Sequence, residues 1–157
     1  MPDEAVTRWQ QRGNIYLWQY PNRNKRGWFG WNISCDVAGA ASIGELVALL
    51  LASPHPSRRR LQIASFESNR FDLDEARFAN DFTLVHPHTV APESWQLTHE
   101  NGNVSLILGT TRLREFGESI TGVLQWRQDY ALRPAGELLP QDEADAQSLW
   151  FWTTATL

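Results

Sequence analysis

The chain has 157 residues, a formal net charge of −4, one cysteine and eight tryptophans. Its length suits one domain, residues 1–157. Hydrophobic residues at 42% against 20% charged exclude global disorder. Cys35 alone can form no internal disulfide, which excludes a disulfide-built scaffold. The longest strongly apolar run, Leu46 to Ala52, is far short of the ~20 residues that cross a bilayer, so no membrane role is expected. The opening Met1-Pro2-Asp3-Glu4 lacks the apolar segment of a secretory signal, and a cytoplasmic setting is the expectation.

Ile15 to Tyr20 reads as a strand, Pro21 to Gly27 as a loop, and Trp28 to Ile33 as a second strand. A loop symmetric about Asn24 sets Leu17 opposite Trp31 and Tyr20 opposite Trp28. Ser42-Ile43-Gly44-Glu45 has the form of a capping box, and Ile43, Leu46, Val47, Leu50 and Leu51 follow as an apolar stripe. Asp36 offers an earlier cap. Pro54 ends this helix. A third strand is expected over Arg60 to Phe66, with Arg58 and Arg59 in the loop before it. Asp81 to His86 forms a short strand stopped by Pro87.

Asn101-Gly102 fits a two-residue type I′ turn. It joins Ser94–Glu100 to Asn103–Gly109, sets Leu97 opposite Leu106, and gives one apolar face and one polar face. A helix follows from Thr110 or Thr111 with Leu113, Phe116 and Ile120 on its stripe, weakened by Gly117 and Gly122. Leu149 to Thr154 closes the chain as a strand. The fold class is therefore α+β, a largely antiparallel sheet with two main helices packed on it. The element order suggests two successive hairpin–helix–strand units, 8–66 and 94–155, joined by 67–93.

The first hairpin offers the most informative surface. Alternation puts Ile15, Leu17, Phe29, Trp31 and Ile33 on a core face. Tyr16, Trp18, Tyr20 and Trp28 fall on the other, with Arg23, Lys25 and Arg26 at the tip. Aromatics beside basic residues are the composition of protein-recognition hot spots. They also suit stacking on nucleic-acid bases, a weaker expectation here. His86, His88 and His99 are the alternative constellation, a histidine-based metal or small-molecule enzyme site, but their spacing matches no metal motif. No nucleophile elbow, phosphate-binding glycine loop or His-Glu-x-x-His is present. No catalytic residue and no cofactor is expected.

Residues 1–70 carry 9 basic and 5 acidic residues, and residues 71–157 carry 5 and 13. An acidic second half suits a basic partner. The expectation is a non-enzymatic protein-binding protein, such as an immunity- or antitoxin-type inhibitor or a complex subunit.

Overall fold

The computed structural model describes residues 3–19, 30–65, 77–126, 130–132 and 147–152. In chain order these form α1 (Glu4–Arg8), β1 (Ile15–Gln19), β2 (Trp31–Cys35), α2 (Val37–Ala52), β3 (Ser57–Gln62), β4 (Arg77–Phe78) and β5 (Asp81–His86). There follow β6 (Trp95–Glu100), β7 (Asn103–Leu108), α3 (Thr110–Trp126), β8 (Tyr130–Leu132) and β9 (Leu149–Phe151). The class is α+β, as composition and patterning imply. The strands divide between two sheets, sheet A in the order β4-β1-β2-β9-β8 and sheet B in the order β3-β5-β7-β6. Both sheets are mixed. β2 runs parallel to β9 and β5 parallel to β7, while every other pair is antiparallel.

Local chemistry accounts for most elements. Asn101 and Gly102 take φ of 52° and 82°, as the tight turn between β6 and β7 requires. The register is the expected one, with Leu97 opposite Leu106. In the first hairpin Leu17 faces Ile33, and Trp31 faces Gln19 instead. The register is thus two residues away from the symmetric-loop expectation. A shift of two leaves every described side chain of the pair on its expected face.

α2 begins at Val37, earlier than the capping box implies. Asp36 is the cap, its carboxylate accepting from the Gly39 N–H at 2.7 Å and the Asn14 N–H at 3.0 Å. Ser42 lies inside the helix, buried, and accepts from the Arg12 N–H. β3 likewise starts early, so the arginine triplet lies within the strand. Arg59 donates to the Trp9 carbonyl at 2.8 Å and sits over the Trp9 ring, while Arg58 and Arg60 point to solvent.

On either side of residues 87–94 the chain divides into a first unit, β1, β2, α2, β3, β4 and β5, and a second, β6, β7, α3, β8 and β9; the first takes in β4 and β5 from the 67–93 stretch that the sequence reading sets between its units. The hairpin β1–β2 is completed in sheet A by β9 and β8 of the second unit. The hairpin β6–β7 is completed in sheet B by β5 and β3 of the first. Each sheet repeats one pattern: an antiparallel hairpin, a parallel neighbour on its second strand, then an antiparallel strand. Aligning Cys35 with Leu108, the last residues of β2 and β7, sets Ala40 on Leu113, Ile43 on Phe116, Val47 on Ile120, Gly44 on Gly117 and Glu45 on Glu118. The six apolar residues of α2 and α3 named in these pairs are all buried, and both glutamates are exposed.

One core takes side chains from both sheets and both long helices. Phe116 of α3 stands at its centre, its ring 6.2 Å from Phe82 of β5 and 5.9 Å from Phe151 of β9. The edges of sheet B are closed by two glutamine side chains. The Gln11 amide donates to the Gln62 carbonyl at 2.9 Å and accepts from its N–H at 2.8 Å. Gln147 makes the same pair of bonds to Leu97, both at 2.8 Å.

The two aligned glycines differ in what surrounds them. A Cβ on Gly117 would lie 2.9 Å from Cγ1 of the buried Val47, whereas a Cβ on Gly44 would meet nothing within 4 Å. Gly117 lets α3 approach α2; Gly44 serves no such purpose. In urea unfolding, Gly44→Ala is expected to stabilise the protein by about 0.5–1 kcal/mol through helix propensity. Gly117→Ala is expected to destabilise it by about 1–3 kcal/mol through overpacking.

Candidate functional site

The strand registers define the outer face of sheet A. Tyr16 and Trp18 of β1 stand beside Ser34 and Asn32 of β2, and Trp150 of β9 stands beside Asn32. The Trp152 N–H donates to the Ile33 carbonyl and continues the β9 ladder, so Trp152 joins the same face. Phe78 of β4 closes it on the far side of β1. Five aromatic side chains therefore share this face with one asparagine and one serine. The other face carries Ile15, Leu17, Trp31, Ile33, Leu149 and Phe151, all in the core.

Asn32 is 1% exposed, and a buried amide must find partners for both of its ends. Its Oδ1 accepts from the Trp152 indole N–H at 2.8 Å, and its Nδ2 donates to the carbonyls of Trp18 and Gly30, both at 3.4 Å. The Ser34 hydroxyl donates to the Trp152 carbonyl at 2.7 Å. These bonds pin Trp152 to β2 at two atoms and fix the orientation of its ring. Tyr16 is half-buried, and its phenol pKa is raised by burial and by the nearby Asp36 charge.

Two residues of the expected surface, Tyr16 and Trp18, fall on this face. Tyr20, Arg23, Lys25, Arg26 and Trp28 lie outside the described residues. Trp18 is not an exposed contact residue. It is 2% exposed, with its ring 6.3 Å from that of Phe78. Alternation along β1 gives its face correctly; it does not report what lies over that face. A buried indole cannot stack on a base, which removes one platform of the nucleic-acid reading. Tyr16, Trp150 and Trp152 are half-buried and retain accessible surface. Strand alternation sets Trp150 and Trp152 on one face, and the parallel β2–β9 ladder assigns that face.

The three histidines do not converge. His86, buried at the end of β5, donates from Nδ1 to the Leu108 carbonyl at 2.9 Å, and its ring lies 4.5 Å from that of His88. His99 lies near the other end of sheet B, where its Nε2 accepts from the Gly102 N–H and its ring meets the edge of Trp31. Among the described residues no group of three or more His, Cys, Asp or Glu side chains is placed to hold a metal ion. A cleft of about 570 Å³ opens elsewhere, beside α1, lined by Asp3, Thr7, His55, Arg58 and Pro87 among others. Asp3 is already engaged there as the α1 cap, and its carboxyl pKa is lowered chiefly by the Val6 N–H.

No protein-family model matches the chain, and no curated protein or solved structure matches it. No described helix is long and apolar enough to cross a membrane.

Cys35 sits at the buried end of β2, and desolvation followed by the Asp36 charge pushes its thiol pKa up to about 12. The native thiol is therefore neutral at pH 8, and its thiolate gains population only as pH rises towards that value. A thiol-specific disulfide reagent at pH 8 is expected to label the native protein at least ~100-fold more slowly than the urea-unfolded chain. Equal rates would contradict the burial. Trp18→Ala is expected to cost about 3–5 kcal/mol of stability, measured by urea unfolding, as a buried aromatic truncation does.

Proposed function

We propose that the protein is a non-enzymatic, cytoplasmic protein-binding protein, an immunity- or antitoxin-type inhibitor or a subunit of a complex. It meets a basic partner through the outer face of sheet A. The observation that carries this reading is a comparison within the chain. Sheet B repeats the pattern of sheet A, so it serves as an internal control for what the architecture needs. Inner positions keep their character: Leu17 corresponds to Leu97, Ile33 to Leu106, Leu149 to Phe82 and Phe151 to Leu84. Outer positions do not. Tyr16 corresponds to Gln96, Trp18 to Thr98, Trp150 to Thr83 and Trp152 to Val85. Four aromatics on one sheet replace glutamine, threonine, threonine and valine on the other.

The strand pattern thus forms without aromatics at these positions. Half-buried aromatic rings, one of them held by hydrogen bonds, are the anchors that protein interfaces favour. Fixed rings lose little freedom on binding, which lowers the cost of association. The excess of 13 acidic over 5 basic residues in 71–157 would steer a basic protein towards the molecule.

The test is to isolate the protein from its native host, identify what co-purifies, and measure that partner's affinity for two pairs of variants. Tyr16→Ala and Trp150→Ala remove rings from sheet A; Gln96→Ala and Thr83→Ala alter the corresponding positions of sheet B. Losses of about 30-fold or more are expected for the first pair, equivalent to about 2 kcal/mol, and under about 3-fold for the second. Similar small losses from both faces, with the folds intact, would overturn the assignment.

A further inference from the structure

We propose that the chain is built to exchange its two units with a second copy of itself, giving an intertwined dimer in which both sheets are completed between chains. The inference rests on topology and stands apart from the binding face above.

Neither sheet belongs to one unit. β9 and β8 of the second unit complete the β1–β2 hairpin, and β5 and β3 of the first complete the β6–β7 hairpin. The units meet in two parallel ladders. In one, Trp31, Asn32 and Ile33 face Leu149, Trp150 and Phe151. In the other, Asp81 to Val85 face Asn103 to Ile107. Phe82, Leu106, Leu149 and Phe151 are buried along these seams. A surface so extended and so apolar needs a matching unit. The second unit of another copy supplies every one of the same contacts.

One described segment, residues 87–94, joins the units. Its second half is fastened to the second unit: the Gly109 N–H donates to the Ser94 carbonyl and the Thr111 N–H to the Pro92 carbonyl, both at 3.0 Å. A Cβ on Gly109 would come within 2.0 Å of the Ala91 carbonyl oxygen, so this stretch is seated tightly on the start of α3. The hinge is therefore Pro87 to Val90. Within it His88 holds a φ of 64°, a left-handed conformation that costs a side-chain-bearing residue about 1 kcal/mol. Pro87 favours an extended residue before it, in line with β5. Straightening the hinge relieves the strain at His88 and sacrifices neither ladder.

Closure within one chain competes at an effective concentration in the mM range. The exchanged dimer should therefore form when unfolded chains refold at high concentration. The experiment refolds the full chain at ~1 µM and at ~1 mM and sizes the products by chromatography with light scattering. The expected result is monomer alone at ~1 µM, and at ~1 mM a discrete dimer with monomer-like circular dichroism that persists after dilution. A variant lacking His88 to Val90 shortens the connection by three residues and should be dimeric at both concentrations. In Cys35→Ala protein, Thr83→Cys with Ser105→Cys places one thiol on each side of the β5–β7 seam. Oxidation should then join the chains of an exchanged dimer covalently, whereas a side-by-side dimer would run as monomer on a non-reducing gel. Monomer alone at ~1 mM, aggregate without a discrete dimer, or a dimer whose chains do not cross-link each overturns the proposal, whether or not the shortened variant folds.

Discussion

The structure turns on the ring of Phe116. It touches Phe82 of sheet B on one side and Phe151 of sheet A on the other, and it comes from neither sheet. Two twisted sheets that share no ladder are not held at a fixed spacing by strand pairing. A buried aromatic between them supplies that spacing through dispersion and area removed from water. α3 must then lie where its first turns can deliver Phe116. Gly117, the next residue, allows it by letting Val47 of α2 come close. Position 117 is thus small because position 116 is large.

The strand exchange follows from the same geometry. Each helix crosses from its own hairpin, and the chain emerging from it continues into the other sheet. Folding therefore depends on contacts far apart in sequence, since β2 meets β9 from the other end of the chain and β5 meets β7 across β6. Such non-local pairings make a fold slower to assemble than a string of hairpins. Local turns close at little entropic cost, whereas the parallel seams close longer loops.

This division explains what the amino-acid pattern reveals. The register of the β6–β7 hairpin was legible to the residue, because Asn101-Gly102 demands one turn and the alternation of Leu97, Val104 and Leu106 demands one register. Asp81 to His86 was legible because Pro87 stops it. The start of α2 was obscured by Val37-Ala38-Gly39-Ala40, whose small residues carry no clear apolar period, although Asp36 was a visible cap. Arg58 to Arg60 disguised the start of β3, since three consecutive arginines do not read as strand. The division into two sheets was hidden, because alternation defines the faces of a strand and not the neighbour it finds. For the candidate site, the face of Tyr16 and Trp18 was readable from periodicity alone. The burial of Trp18 and the arrival of Trp150 and Trp152 were not, because both depend on segments distant in the chain.

Gln11 and Gln147 each lend a side-chain amide to one residue of an outermost strand, a single peptide-like unit placed on β3 and on β6. An outer strand with a free row of donors and acceptors is a template for further strands, from another copy or from an extended peptide. At Gln62 and Leu97 that template is already taken. A visiting strand would have to displace two well-formed bonds at either margin before it could begin to pair. Main-chain pairing by a strand added from outside is closed off at those two residues. Exchange between copies uses the inner seams instead, which these two amides leave untouched.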